Sequence, residues 1–352
     1  MSENKLSQHT EKQRIYLFDN VKWIAIILVV IGHAIDFLAR SNTGNHLEKS
    51  LFVFIYAFHM PLFIFISGLF LKPMDKDSKF PRDKVISFLG IGIVLRAFTS
   101  ILKLFLGEKE SFSILNMYDS YTWFMGAMAA FIFITWLLRA YDKRIILPIA
   151  VLAGCMAGYD KNLGDKFSLM RIAVFFPVFL IGYYITPEQI LKLASAKWSK
   201  IAAAVIIAGF AVLCFMNKDF TAQFRPLFTG RNRYTVLEDS QYAFGALYRL
   251  ACYAIAALTG LSVICLAPNK KLGYITVMGG KTLQIYFWHR MVLMVFEHFK
   301  LYEKIQTVTG GTAATAVYIL IAVAVAFLCS VPFLAFPSKQ ILSIGRKKIK
   351  KQ

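Results

Sequence analysis

About ten apolar runs dominate this chain of 352 residues, near 21–39, 50–71, 85–106, 122–141, 145–159, 168–186, 199–217, 243–267, 282–299 and 312–336. A helix rises about 1.5 Å per residue and a bilayer's hydrocarbon core is about 30 Å thick, so roughly 20 mostly apolar residues span it. All but the short fifth run come close to that length. Inside hydrocarbon a backbone must satisfy its own hydrogen bonds, and a run of this kind does so as a helix. The expected fold is all-α, a polytopic membrane protein of about ten transmembrane helices. Residues 1–20 would form a cytoplasmic lead, 21–336 the membrane body and 337–352 a basic cytoplasmic tail. More than half of the chain lies in the runs, so no stretch remains for a sizeable soluble domain.

Composition and charge sharpen this reading. Apolar residues make up 57% and charged residues only 17%, with a mean hydropathy of +0.56, which excludes a disordered chain and an ordinary cytosolic enzyme. A net charge of +20 would suggest nucleic-acid binding in a soluble protein. Here the Lys and Arg residues divide as 24 on one set of alternate loops and 13 on the other, with Arg96, Arg249 and Arg290 inside runs. The inside-positive rule then puts both termini in the cytoplasm and leaves no need for nucleic acid. Arg346, Lys347, Lys348, Lys350 and Lys351 would face anionic lipid heads. The first run follows about twenty polar residues and is too long for a signal peptide's core. Cys155, Cys214, Cys252, Cys265 and Cys329 are scattered through apolar runs without a CxxC pair, so they read as small core residues.

Ionisable side chains are costly inside a bilayer and mark functional positions by default. His33 and Asp36 lie three apart in the first run, on one helix face, where the carboxylate could orient the imidazole. His59 lies in the second run, Arg96 in the third, Arg249 in the eighth, and His289 with Arg290 in the ninth. Arg14, Asp19 and Lys22 stand at the start of the first run, and His33 follows Asp19 by 14 residues, about 21 Å along a helix. That layout suits a reaction that begins with a charged cytosolic molecule and ends deep in the membrane. A basic mouth would hold phosphates, with the Arg14 guanidinium shaped for a bidentate grip. A buried neutral His33 would act as general base on a hydroxyl. Arg82 and Lys84 are the nearest loop cations. The long loop 218–242 carries Arg231, Arg233 and Tyr234, residue types that suit contact with a sugar.

The stretch Arg14 to Ala34 resembles the opening signature of the acyltransferase 3 family of integral-membrane acyltransferases. Phe58 to Gly68 is similar to the family's second motif, Trp123-Phe124 to a short later one, and Gly280 to His289 to a late element ending in His. Arg171 with Phe176-Pro177-Val178-Phe179 and Gly182-Tyr183 resembles the fucose 4-O-acetylase-like branch. The resemblance implies a ten-helix O-acyltransferase of the cell membrane. Such an enzyme passes an acyl group, usually acetyl, from cytosolic acyl-CoA to a hydroxyl of an envelope polysaccharide or lipid-linked sugar. It implies His33 as catalytic histidine, Arg14 near the CoA entrance and His289 as a second catalytic candidate. Acetyl-CoA would be a donor substrate, with no permanently bound cofactor and no metal. Lys22 stands where the family often has Arg, and Trp23 where it has Gly or Ala.

The same buried His and Arg residues would also serve a transporter or flippase for a lipid-linked sugar. Transporters often show related halves, and the sequence shows none. No G-x-S-x-G elbow, Walker A loop, H-E-x-x-H or G-x-G-x-x-G occurs.

Overall fold

The computed structural model describes residues 15–40, 45–108, 118, 121–163 and 166–341. Every apolar run forms helix. In chain order the helices are α1 (Tyr16–Arg40), α2 (His46–Tyr56), α3 (His59–Leu69), α4 (Arg82–Phe105), α5 (Trp123–Leu137), α6 (Lys143–Met156), α7 (Leu169–Tyr184) and α8 (Pro187–Ser195). There follow α9 (Lys197–Met216), α10 (Lys218–Phe228), α11 (Asp239–Tyr242), α12 (Gly245–Leu266), α13 (Tyr274–Gly279), α14 (Thr282–His298), α15 (Leu301–Thr309) and α16 (Gly311–Cys329). Among the described residues no strand occurs. Six helical spans are long and apolar enough to cross a membrane, α2 and α3 counting as one, and a seventh arises if α7 and α8, bent by 86°, form one span. α5, α6 and α14, with 15, 14 and 17 residues, are shorter.

The second run breaks at Ala57–Phe58, and Pro61 explains where. A proline at position 61 has no N–H for the Ala57 carbonyl, and its ring crowds that carbonyl. The helix stops, and α3 restarts with Pro61 in its first turn, where a missing N–H costs nothing. α2 begins cleanly because Asn45 and Glu48 form a reciprocal capping box, and α8 does the same with Thr186 and Gln189 before a first-turn Pro187.

Helix pairs in a membrane gain little from hydrophobicity and depend on close packing at small residues. The α3–α7 crossing rests on a reciprocal glycine pair. A Cβ on Gly68 would lie 2.2 Å from the Phe179 oxygen, and one on Gly182 would lie 2.1 Å from the Phe65 oxygen. α1 sits at the centre, packed on α2, α3, α12, α13, α14 and α16. Its start is fixed to the 268–279 segment: Asn20 donates to the carbonyls of Pro268 and Lys270 and accepts from Thr276. Gly279 lies against the Asp19 backbone, where a Cβ would come within 1.9 Å of the oxygen. Trp23 fits because its indole N–H meets the Met278 sulfur at 3.3 Å.

The stretch expected as a long polar loop, 218–242, is a correction. It folds into α10, a short 3-10 turn and α11, with α10 packed on α2 and α9. Phe224, Leu227 and Phe228 repeat at helical spacing and are buried. All five cysteines are buried and free.

Candidate active site

Three cavities are strung along α1. The outer one, about 110 Å3, is lined by His33, Asp36, Tyr56, His59, Met60, Tyr121, Trp123, Arg171, Arg231, Tyr286 and Arg290 among others. The break before α3 places His59 at a helix start facing this space, and its Nδ1 lies 2.8 Å from the Ile55 carbonyl. A carbonyl only accepts, so Nδ1 carries the proton, and in a neutral ring Nε2 then holds the lone pair. His289 repeats the device on α14, with Nδ1 donating to the Ile285 carbonyl at 2.9 Å. Its Nε2 is buried and has no hydrogen-bond partner. The His33 and His289 rings stand 5.3 Å apart, centroid to centroid. Arg290 is held by Glu297 in a two-pronged pair at 2.5 and 3.0 Å, and Asp36 lies within reach of its charge. The Arg171 guanidinium sits 4.9 Å from the Trp123 ring centre, giving a flat cationic face over an indole.

Below it lies a throat of about 210 Å3, lined by Lys22, Ile26, Val29, Met60, Phe63, Ser67, Phe124, Leu283 and Tyr286 among others. Met60 and Tyr286 belong to both walls. Tyr286 is fixed by a bond from its hydroxyl to the Tyr121 carbonyl. Lys22 also lines a wider cavity, a mouth of about 780 Å3, together with Asp19, Lys72, Arg139, Tyr141, Tyr183 and Glu188 among others. Lys22 pairs with Asp19 at 2.8 Å. From Lys22 to His33 the helix advances about 16 Å.

The structure thus brings His33, Asp36, His59 and Arg231 to one cavity, sets His289 directly behind His33, and puts Asp19 and Lys22 at the mouth. Arg14 lies outside the described residues. Arg82 and Lys84 do not line the mouth; Arg82 is exposed and 3.6 Å from Asp83. Arg233 turns away to the Lys161 carbonyl. Tyr234 is wholly buried, wedged between Gly158 and Gly245, with its hydroxyl on the Cys155 carbonyl. It pins the 218–242 segment and does not meet the cavity. Sequence reasoning missed Lys72 and Arg139 as mouth residues, because each lies at the end of an apolar run far from the others in sequence. In the sequence Trp123 and Arg171 stand only within motifs, and their contact cannot be read from spacing.

Two curated relatives match over a short stretch, both described as nodulation protein NolL. The protein from Sinorhizobium fredii (strain NBRC 101917 / NGR234) is 53% identical over 51 residues. The one from Mesorhizobium japonicum (strain LMG 29417 / CECT 9101 / MAFF 303099) is 47% identical over 51 residues. Each match spans 14% of this chain and 14% of the relative. No solved structure matches. The profile of the family described as an acyltransferase domain matches residues 15–333, from the start of α1 to beyond the end of α16, and so takes in all three cavities. The chain therefore belongs to this acyltransferase family and is a multi-pass membrane protein.

Proposed function

We propose that the protein is an O-acetyltransferase of the cytoplasmic membrane, taking its acyl group from cytosolic acyl-CoA and giving it to a hydroxyl of an envelope polysaccharide or lipid-linked sugar. The observation that carries this reading is the shared walls of the three cavities. Lys22 joins mouth to throat, and Met60 with Tyr286 joins throat to outer cavity.

In this reading the nucleotide end of the donor rests in the wide mouth, where Lys22, Lys72 and Arg139 offer cations to its phosphates. The narrow arm threads the throat and presents the thioester beside His33. An acceptor hydroxyl enters from the opposite end. His33 removes the hydroxyl proton as the oxygen bonds to the acyl carbon; the carbon–sulfur bond breaks, and the proton passes on to the leaving thiolate. His289, with its Nε2 lone pair, supports the imidazolium that forms in between. The outer cavity, at about 110 Å3, must admit both acyl group and hydroxyl, which suits a two-carbon acyl chain.

The test uses purified protein in nanodiscs, acetyl-labelled acetyl-CoA and an envelope glycan extract. Base-labile label should appear in the glycan with the natural protein and not with His33→Ala. Movement of a lipid-linked sugar across the membrane without any label transfer would favour a transporter instead.

A further inference from the structure

A fourth cavity, of about 200 Å3, lies between α3, α6, α7 and α12. Its walls include Pro61, Pro177, Tyr253, Ala257 and Gly260, and its lining is aliphatic or aromatic almost throughout. Leu250, Ala257 and Ile181 are exposed on its rim, so the groove opens sideways to the lipid. It also adjoins the site across a small void of about 10 Å3. A narrow neck shares Pro61, Val178, Tyr253 and Ala256 with the groove, and Phe175 and Phe228 with the outer cavity. One charged side chain lines that neck. Arg249 is only 2% exposed; its Nη1 donates to the Leu227 carbonyl at 2.8 Å and its charge acts on the nearby Tyr234 hydroxyl, while Nε and Nη2 have no partner at hydrogen-bond geometry. A buried guanidinium with two unused donors is costly unless an anion meets it. The outer cavity adds Arg171, Arg231 and Arg290 to its lining, with Asp36 as the carboxylate on its wall.

Apolar groove, cationic neck and polar cavity follow one another in the order of the parts of one kind of molecule. We propose that the acceptor is a saccharide joined through a phosphate to a long hydrocarbon chain. The chain occupies the α3–α6–α7–α12 groove, the linking phosphate is met by Arg249 with Arg171 and Arg231, and the sugar reaches His33. Phe175 and Phe228 swing apart to admit it. The inference rests on the acyltransfer reading and selects the lipid-linked acceptor within it.

The groove can be filled without disturbing the fold, because a Cβ at Gly260 meets nothing within 4 Å and Ala257 is exposed. The experiment measures binding of geranylgeranyl phosphate to the full-length protein by native mass spectrometry, with geranylgeraniol, inorganic phosphate and phosphatidylglycerol as competing probes. Geranylgeranyl phosphate should bind once per chain and at least tenfold more tightly than geranylgeraniol. Gly260→Phe and Ala257→Trp should each weaken it at least tenfold while acetyl-CoA binding stays unchanged. Arg249→Gln should remove the preference for the phosphate. Equal competition by phosphatidylglycerol would reveal ordinary boundary lipid and overturn the proposal, as would displacement by inorganic phosphate alone or unchanged binding in both groove variants. Loss of acetyl-CoA binding by the natural protein would instead sink the donor reading, so the two failures are told apart.

Discussion

His33 and His289, on different helices 256 positions apart in sequence, stand ring to ring at 5.3 Å. His33 faces the outer cavity, and His289 is buried behind it with Nδ1 committed to Ile285 and Nε2 bare. A general base of this kind contributes roughly 10²–10⁴-fold to rate. His33→Ala should therefore lower acetyl transfer by about that range with acetyl-CoA affinity intact. His289→Phe keeps the ring's bulk but removes the lone pair that would steady a charged His33. The loss should be roughly 10- to 100-fold, the weight of one hydrogen bond to a charged group. Transfer rates of the two variants in nanodiscs decide the matter; a His33→Ala protein as active as the natural one would refute the assignment.

The throat offers a sharper test of the donor's route. Ser67 lines it, with its hydroxyl tied to the Phe63 carbonyl at 2.8 Å. Ser67→Trp would fill much of a cavity of about 210 Å3. Transfer should fall below detection while a CoA fragment ending at the nucleotide still binds the mouth. Normal turnover by this variant, measured with labelled acetyl-CoA, would show that the donor reaches His33 by another path.

At the mouth, Lys72→Ala and Arg139→Ala should each weaken acyl-CoA binding by roughly tenfold, as loss of a hydrogen bond to a charged group does. Binding should also weaken with added salt, because exposed charges are screened. Arg82→Ala should leave the affinity unchanged, since Arg82 sits with Asp83 away from the cavity. Calorimetric titration at two salt concentrations checks all three.

These two sets of residues show what the sequence discloses and what it withholds. His33, Asp36, His59 and His289 were recognisable because a polar group inside an apolar run has few structural excuses. Their convergence follows from α3 and α14 both packing on α1, which no local sequence pattern states. Lys72 and Arg139 gave no such signal, since a cation after an apolar run is ordinary topology. The helix α10 escaped for a related reason: its apolar residues occupy one face only, so a search for uniformly apolar stretches passes over it. Tyr234 looked like a sugar contact because an aromatic in a polar segment suits one, yet Gly158 and Gly245 leave a slot that its ring fills.

The glycine crossing of α3 and α7 predicts a stability effect separate from chemistry. Gly68→Ala and Gly182→Ala each drive a Cβ into a backbone oxygen, and backbone cannot yield as a side-chain tip can. Each should cost about 1–3 kcal/mol or more, as overpacking does, and lower the melting temperature in detergent. Gly260→Ala, with open space around its Cβ, is the control and should melt with the natural protein. Equal melting of all three would refute the tight crossing.

Glu48 makes the last case. Its carboxylate is 2% exposed, and one oxygen accepts from the Tyr302 hydroxyl at 2.9 Å and the Thr315 hydroxyl at 2.8 Å. The other oxygen accepts from the Asn45 backbone N–H at 2.8 Å. One side chain thus caps α2 and fastens it to α15 and α16. Glu48→Ala takes this acceptor from two buried hydroxyls, which are left with the longer contacts to each other at 3.2 Å and from Thr315 to the Gly311 carbonyl at 3.4 Å, and it also removes the cap; the cost should be about 1–3 kcal/mol. In Glu48→Gln the amide oxygen can keep both hydroxyls, while its NH2 replaces the oxygen that served Asn45. Only the cap is then lost, at about 1 kcal/mol. Tyr302→Phe removes one donor and leaves the carboxylate its other two bonds, so it should cost least. Thermal melting should therefore rank natural protein above Tyr302→Phe, then Glu48→Gln, then Glu48→Ala. A Glu48→Ala protein that melts with Tyr302→Phe would mean that the carboxylate does not hold these helices together.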